Sequence, residues 1–129
     1  MKVSIYEQQA REELEKRYEI AAQLLDHEEQ IEPFLNALHF KLKANAFEGD
    51  IPMLASLVQD YTSKAYTKIP LSSILIATSA LIYFLSSEDL IPDDVPGLGY
   101  SDDVLVAKQC LRMIDSDWKE YVVWKQKKM

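Results

Sequence analysis

Apolar residues return at every third or fourth position along most of this chain, the repeat of a helix with one buried face. A first segment runs from about Ser4 to Leu25, with Leu14, Tyr18, Ala21 and Leu25 on one side and glutamates and arginines on the other. Asp26 to Glu28 read as a break and restart. A second segment, to about Ala44, carries Ile31, Phe34, Leu35, Leu38 and Leu42. Proline is tolerated in a helix's first turn, so Pro33 predicts a start between Glu29 and Glu32. A third segment begins at Asp50, a natural N-cap, with Pro52 in its first turn and Leu54, Leu57, Val58 and Tyr61 inward. Pro70 opens a fourth, ending near Leu85. Ser101 caps a fifth, with Val104, Ala107, Leu111 and Ile114 as its stripe, and Ser116 caps a last short helix that turns Trp118, Tyr121 and Val122 inward. No strand alternation or internal repeat interrupts this pattern. It predicts an all-α fold over a single domain, 1–129: a compact bundle of five to six helices around an apolar central helix at about 70–86.

That central helix allows a second reading. From Ile69 to Ser87 the 19 positions carry no charge. As a helix they would span about 28 Å, against about 30 Å for a bilayer core. Ser72, Ser73, Thr78 and Ser79 lower the hydrophobicity, and the flanking helices are amphipathic. A buried central helix is therefore the first expectation, and membrane insertion or peripheral attachment the second.

Composition narrows the class. Gly occurs at three positions, which suits helices, and the single Cys110 excludes an internal disulfide framework. Met1 to Arg17 lack the apolar core of a secretion signal, so the expected location is cytoplasmic, with membrane association as the variant. The net charge of −7 argues against nucleic acid as partner. Glu88, Asp89, Asp93, Asp94, Asp102 and Asp103 contribute −6 within a stretch free of Lys and Arg, so the acidity reads as local.

The same stretch holds Pro92, Pro96, Gly97 and Gly99. The prolines force their predecessors out of helical geometry and the glycines permit a close or left-handed backbone, which predicts a rigid, folded-back connection. Asp89, Asp93, Asp102 and Asp103 then have ordinary work as caps in short turns and at the first turn of the fifth helix. The alternative is a site for Mg²⁺ or Ca²⁺, since hard cations take carboxylate oxygens. A catalytic carboxylate pair is the remotest reading, and no catalytic residue and no required cofactor is assigned. The spacing is not that of an EF-hand loop.

Tyr83, Ser86, Asp89, Leu90, Ile91, Pro92, Asp93, Pro96, Gly99, Asp102 and Asp103 together resemble the signature of the YkvA-like family, small bacterial helical proteins of unknown function. Tyr66, Ile69 and Pro70 resemble its lead-in. The likeness takes in 61–115 as the core motif region, with 1–60 as an N-terminal helical extension packed on it. Ser87 stands where the family usually has proline, and Asp94 where an apolar residue is usual. The resemblance implies no settled activity. It implies membrane association in some relatives, and a related domain stands beside a RING module in membrane-bound ubiquitin ligases.

The remaining candidates have plain readings. His27 suits a surface or capping role, His39 a core edge, and Cys110 a buried structural thiol. Glu12 with Glu15 and Glu29 with Glu32 resemble the carboxylate sets of all-α nucleotide pyrophosphohydrolases, but the second pair lacks the expected Asp and both suit solvated faces. Lys125, Lys127 and Lys128 read as a solvated tail that could touch anionic lipid. The expectation is a non-enzymatic module binding a protein partner or a membrane surface, with a divalent-cation-binding protein, or a hydrolase using that cation, as the alternative. A homo-oligomer is compatible with either.

Overall fold

The computed structural model describes residues 5–44, 50–86 and 101–128, with the backbone alone at 5–7, 44, 86 and 101–105. Seven helical segments occur among the described residues: α1 (Ile5–Glu15), α2 (Tyr18–Asp26), α3 (Glu28–Ala44), α4 (Asp50–Thr62), α5 (Leu71–Ser86), α6 (Ser101–Met113) and α7 (Asp115–Lys128). Only Lys16 and Arg17 separate α1 from α2, so the expected all-α bundle around a central apolar helix holds with one extra break. There the Arg17 amide steps back to the Leu14 carbonyl (3.0 Å), and the Arg17 carbonyl starts α2 by accepting from Ala21 (2.8 Å).

α5 is the axis. It packs against α1, α2, α3, α4 and α6. Ile74, Ala77, Ala80, Leu81, Tyr83 and Phe84 are buried along it. Around it lie Leu14 of α1, Leu38 of α3, Leu54, Leu57 and Val58 of α4, and Val106, Ala107 and Cys110 of α6. The absence of charge from α5 is thus explained by neighbours on nearly every side. No helix among the described residues is long and apolar enough to cross a membrane.

Several local expectations shift. α3 begins at Glu28, so Pro33 lies inside the helix rather than in its first turn. His27 alone separates α2 from α3: the Gln30 amide bonds to the His27 carbonyl (2.9 Å), restarting the helix before the proline. Ser116 is not a cap, because Ile114 is the only residue between α6 and α7 and the last helix starts at Asp115. His39 is exposed rather than at the core edge. α4 ends on Lys64, whose φ of 68° is the left-handed turn that commonly closes a helix, and the Lys64 amide bonds to the Tyr61 carbonyl (3.1 Å).

Candidate functional site

One end of the bundle is closed by aromatic and polar side chains of α4, α7 and the segment between α4 and α5. The buried Tyr121 ring meets Tyr66 edge-on at 5.2 Å and stacks on Trp124 at 5.9 Å. Tyr66 and Trp124 lie 4.9 Å apart. The Tyr121 hydroxyl donates to Asp60 Oδ2 (2.7 Å), which also accepts from Lys125 Nζ (3.0 Å). Because that hydroxyl has one proton, Ser56 Oγ at 2.8 Å must be the donor to Tyr121. Burial pushes the Tyr121 hydroxyl well above the ordinary tyrosine range; the Ser56 bond works against this and Asp60 adds to it. Lys125 is therefore tied into the bundle rather than part of a solvated tail, and Lys128 lies over the Trp124 ring at 5.7 Å. Ser73 of α5 donates to Asp117 of α7 (2.6 Å).

A second polar knot sits where α1 meets α2. Arg17 is buried, bonded to the Glu13 carboxylate (2.7 Å) and carbonyl (2.9 Å), with its guanidinium 5.0 Å from the centroid of Tyr83. Burial works to raise the Glu13 carboxyl, but the hydrogen bonds from Lys16 and Arg17 outweigh it and leave the pKa below its ordinary value. Both arrangements are structural: neither offers a nucleophile beside a base.

The candidate binding feature is different in kind. Ile20, Gln23 and Leu24 of α2, Gln30 and Phe34 of α3, and Ile82 and Leu85 of α5 line an open groove of about 380 Å³ with no charged side chain in its wall. Ile20 is 53% exposed. Farther round α3, Pro33, Ala37 and the 78%-exposed Phe40 form an exposed row of their own at i, i+4 and i+7. Beside the groove-lining Leu85, Phe84 accepts a hydrogen bond from Lys41 of α3 through its carbonyl, and the Lys41 ammonium lies 4.7 Å over its ring. The groove thus abuts the end of α5, just ahead of the acidic stretch.

Residues 73–108 match the family model described as a protein of unknown function, DUF1232. Over 69 residues the chain is 28% identical to the "Uncharacterized membrane protein YkvA" of Bacillus subtilis strain 168. That match takes in 54% of this chain and 65% of the relative, so the chain spans less than two thirds of the relative's length. The chain is thus similar to YkvA over about half of its own length. No solved structure matches.

The segment matched by the DUF1232 model takes in α5 from Ser73 onward, including Tyr83, which packs under Arg17, and the start of α6. Asp89, Asp93, Pro92, Pro96, Gly97 and Gly99 lie outside the described residues. α6 opens at Ser101, which puts Asp102 and Asp103 in its first turn by backbone position, with side chains outside the described set. Among the described residues no three His, Cys, Asp or Glu side chains are grouped to hold a metal ion. Cys110 is buried in α6 with its thiol pushed up to about 12 by burial, as an inert structural thiol should be. His27 caps α2, its Nδ1 2.6 Å from the Gln23 carbonyl. Glu12, Glu15, Glu29 and Glu32 are exposed, in keeping with solvated faces.

Sequence reasoning missed the groove and one charge feature beside it. Between Tyr18 and Phe40 the chain carries Glu19, Asp26, Glu28, Glu29 and Glu32 and no Lys or Arg. All five carboxylates are exposed, and none has an ion-pair partner among the described residues. The acidity is therefore not confined to the turn, and the rest of the chain is net positive.

Proposed function

We propose that this chain is a non-enzymatic helical module that docks a partner through the α2–α3–α5 groove, working at or near a membrane. The observation that carries this reading is the groove itself: an open, uncharged and mostly apolar concavity whose wall includes the exposed Ile20. The two buried polar knots support it, because their side chains are already paired with one another. Membrane association rests on the relative's description as a membrane protein, carried over for location alone. With no membrane-length helix among the described residues, the association proposed is peripheral. A photo-crosslinking residue at Ile20, compared with one at exposed Lys119 of α7, tests the reading in cells. A discrete adduct at Ile20 and none at Lys119 is the expected result. Equal labelling from both positions would remove the groove as the docking face.

A second reading concerns the acidic stretch, where six carboxylates without a counter-charge between Glu88 and Asp103 favour Mg²⁺ or Ca²⁺. Asp89, Asp93, Asp102 and Asp103 would be its ligands. Calorimetric titration of the full chain with either cation checks it. Heat that is lost in Asp93→Asn/Asp102→Asn supports the site, and no heat at millimolar cation discards it.

A further inference from the structure

The charge around the groove selects among occupants. Glu19, Gln23 and Asp26 follow one another at i, i+4 and i+7 on α2, so the row that puts Gln23 in the groove wall carries a carboxylate on either side of it. On α3, Glu29 heads the row of Pro33 and Phe40 beside Phe34. Asp26 and Glu28 also line a second, more polar groove on the other flank of the α2–α3 hairpin, with Leu25, Ile31, Tyr61 and Lys64. The channel wall is uncharged, and the surface of α2 and α3 around it carries five exposed carboxylates against Lys41 and Lys43 at the end of α3, an acidic excess that complements a helix apolar on one face and basic on the others.

The same charges weigh against a lipid surface. A lysine near an anionic leaflet gains about 1 kcal/mol, and a carboxylate there loses comparably, so five unpaired carboxylates oppose flat docking of this face on such a leaflet. The basic side chains Lys127 and Lys128 lie on α7, which lines no part of the groove. The dimensions are compatible with a peptide: α2 has 9 residues and so offers about 13 Å of wall, close to two and a half helical turns.

We infer that the α2–α3–α5 groove receives a basic amphipathic helix of a protein partner, its apolar face on Ile20, Leu24, Phe34, Ile82 and Leu85 and its cationic flanks against the exposed carboxylates Glu19 and Glu29. This rests on the docking reading above and adds the chemistry of the partner.

The test uses the full chain and a fluorescent synthetic helix with leucine at i, i+3, i+4 and i+7 and lysine elsewhere. Its controls are a scrambled peptide of the same composition and a version with glutamate in place of lysine. The leucine–lysine helix should bind saturably and weaken several-fold as salt rises from about 0.05 to about 0.3 M, where screening shortens to a few Å. Ile20→Ser/Phe34→Ser should weaken it about tenfold, or about 1.4 kcal/mol, and Glu19→Gln/Glu29→Gln should flatten the salt dependence. Asp93→Asn/Asp94→Asn should leave binding unchanged, which separates the groove from the acidic turn. Circular dichroism and melting confirm that each variant is folded.

Equal binding of the lysine and glutamate helices, or of the scrambled peptide, overturns the inference. So does binding that survives Ile20→Ser/Phe34→Ser. Preferential binding to phosphatidylglycerol vesicles, lost in the groove variant, would assign the face to lipid instead. A dimer in sedimentation that Ile20→Ser abolishes would assign it to a second copy of this chain. A discrete crosslink at Ile20 with no binding of the cationic helix would leave the docking reading standing and remove this inference alone.

Discussion

Around Tyr121 the aromatic rings face one another and the polar atoms are paired. Around Phe34, apolar side chains face solvent, and the carboxylates of α2 and the first half of α3 have no ion-pair partner among the described residues. Both regions draw on α5: it bonds to α7 through Ser73 and Asp117 at one end and forms part of the groove through Ile82 and Leu85 at the other. The difference teaches which end the fold needs. Rings buried at van der Waals distance with satisfied hydroxyls add to stability, whereas exposed apolar surface adds none, and under the docking proposal it serves contact with a partner. The closed end should therefore be costly to disturb and irrelevant to docking, and the groove the reverse.

The sharpest way to break this contrast is Tyr121→Ala. Removing a buried ring that touches Tyr66, Trp118 and Trp124 leaves a cavity and strips Asp60 and Ser56 of a partner. The expected cost is about 3–5 kcal/mol, read as a lower midpoint in urea unfolding with the slope unchanged. A loss below about 1 kcal/mol would mean that the aromatic end is not what holds α7 to the bundle.

Asp60→Ala comes next, with a cost of about 1–3 kcal/mol from leaving the Tyr121 hydroxyl short of its acceptor. Lys125 is partly exposed, so its share of that cost is small. The pH behaviour has a definite sign. The Tyr121 hydroxyl is held protonated in the fold by burial above all, so its folded pKa lies above the unfolded value. The stability gained is present below the ordinary tyrosine pKa of 10.0 and is lost as pH rises beyond it. Ultraviolet titration should show the Tyr121 tyrosinate appearing only together with unfolding.

Between the two regions, Thr78 of α5 sharpens the contrast from the other direction. Its side chain is fully buried, and its Oγ1 has no hydrogen-bond partner among the described residues, unlike neighbouring Ser79, which bonds back to the Leu75 carbonyl (2.7 Å). Thr78→Val keeps the branched shape and removes the orphaned hydroxyl, so stability should rise by about 1 kcal/mol in the same urea assay. A fall would show that the hydroxyl has a partner after all.

What could be read in advance follows from how local each signal is. α5 was legible because a charge-free run after a proline admits few readings, and the heptad-like spacing of Leu54, Leu57 and Val58 made α4 equally plain. Pro33 misled because a single-residue break at His27 restarts the helix too early for the proline to fall in its first turn. The closed end was hidden: Asp60 meets Tyr121 and Lys125 across more than sixty residues, and no spacing rule links them. The groove was hidden for the same reason, needing α2, α3 and α5 together. One clue stood in the sequence, the run from Tyr18 to Phe40 with carboxylates and no cation, but a net charge concentrated at the acidic turn drew the eye from it.

The smallest expected effect on stability belongs to Phe40→Ser, and it bears most directly on the contrast. At 78% exposure the ring has little burial to lose, so urea unfolding should change by no more than about 0.5 kcal/mol in either direction. An exposed phenylalanine with no role in the fold would be silent in every other assay as well. If Phe40 extends the docking face, Phe40→Ser should weaken capture of the leucine–lysine helix and thin the Ile20 crosslink while the melting curve stays in place. Lys119→Ser on α7, equally exposed and outside both regions, should change neither. A destabilised Phe40→Ser would instead mean that the ring packs against the bundle in solution, and the apolar face would then end at Phe34. The pairing of unchanged stability with lost binding is the signature that separates a surface kept for a partner from one that merely happens to be apolar.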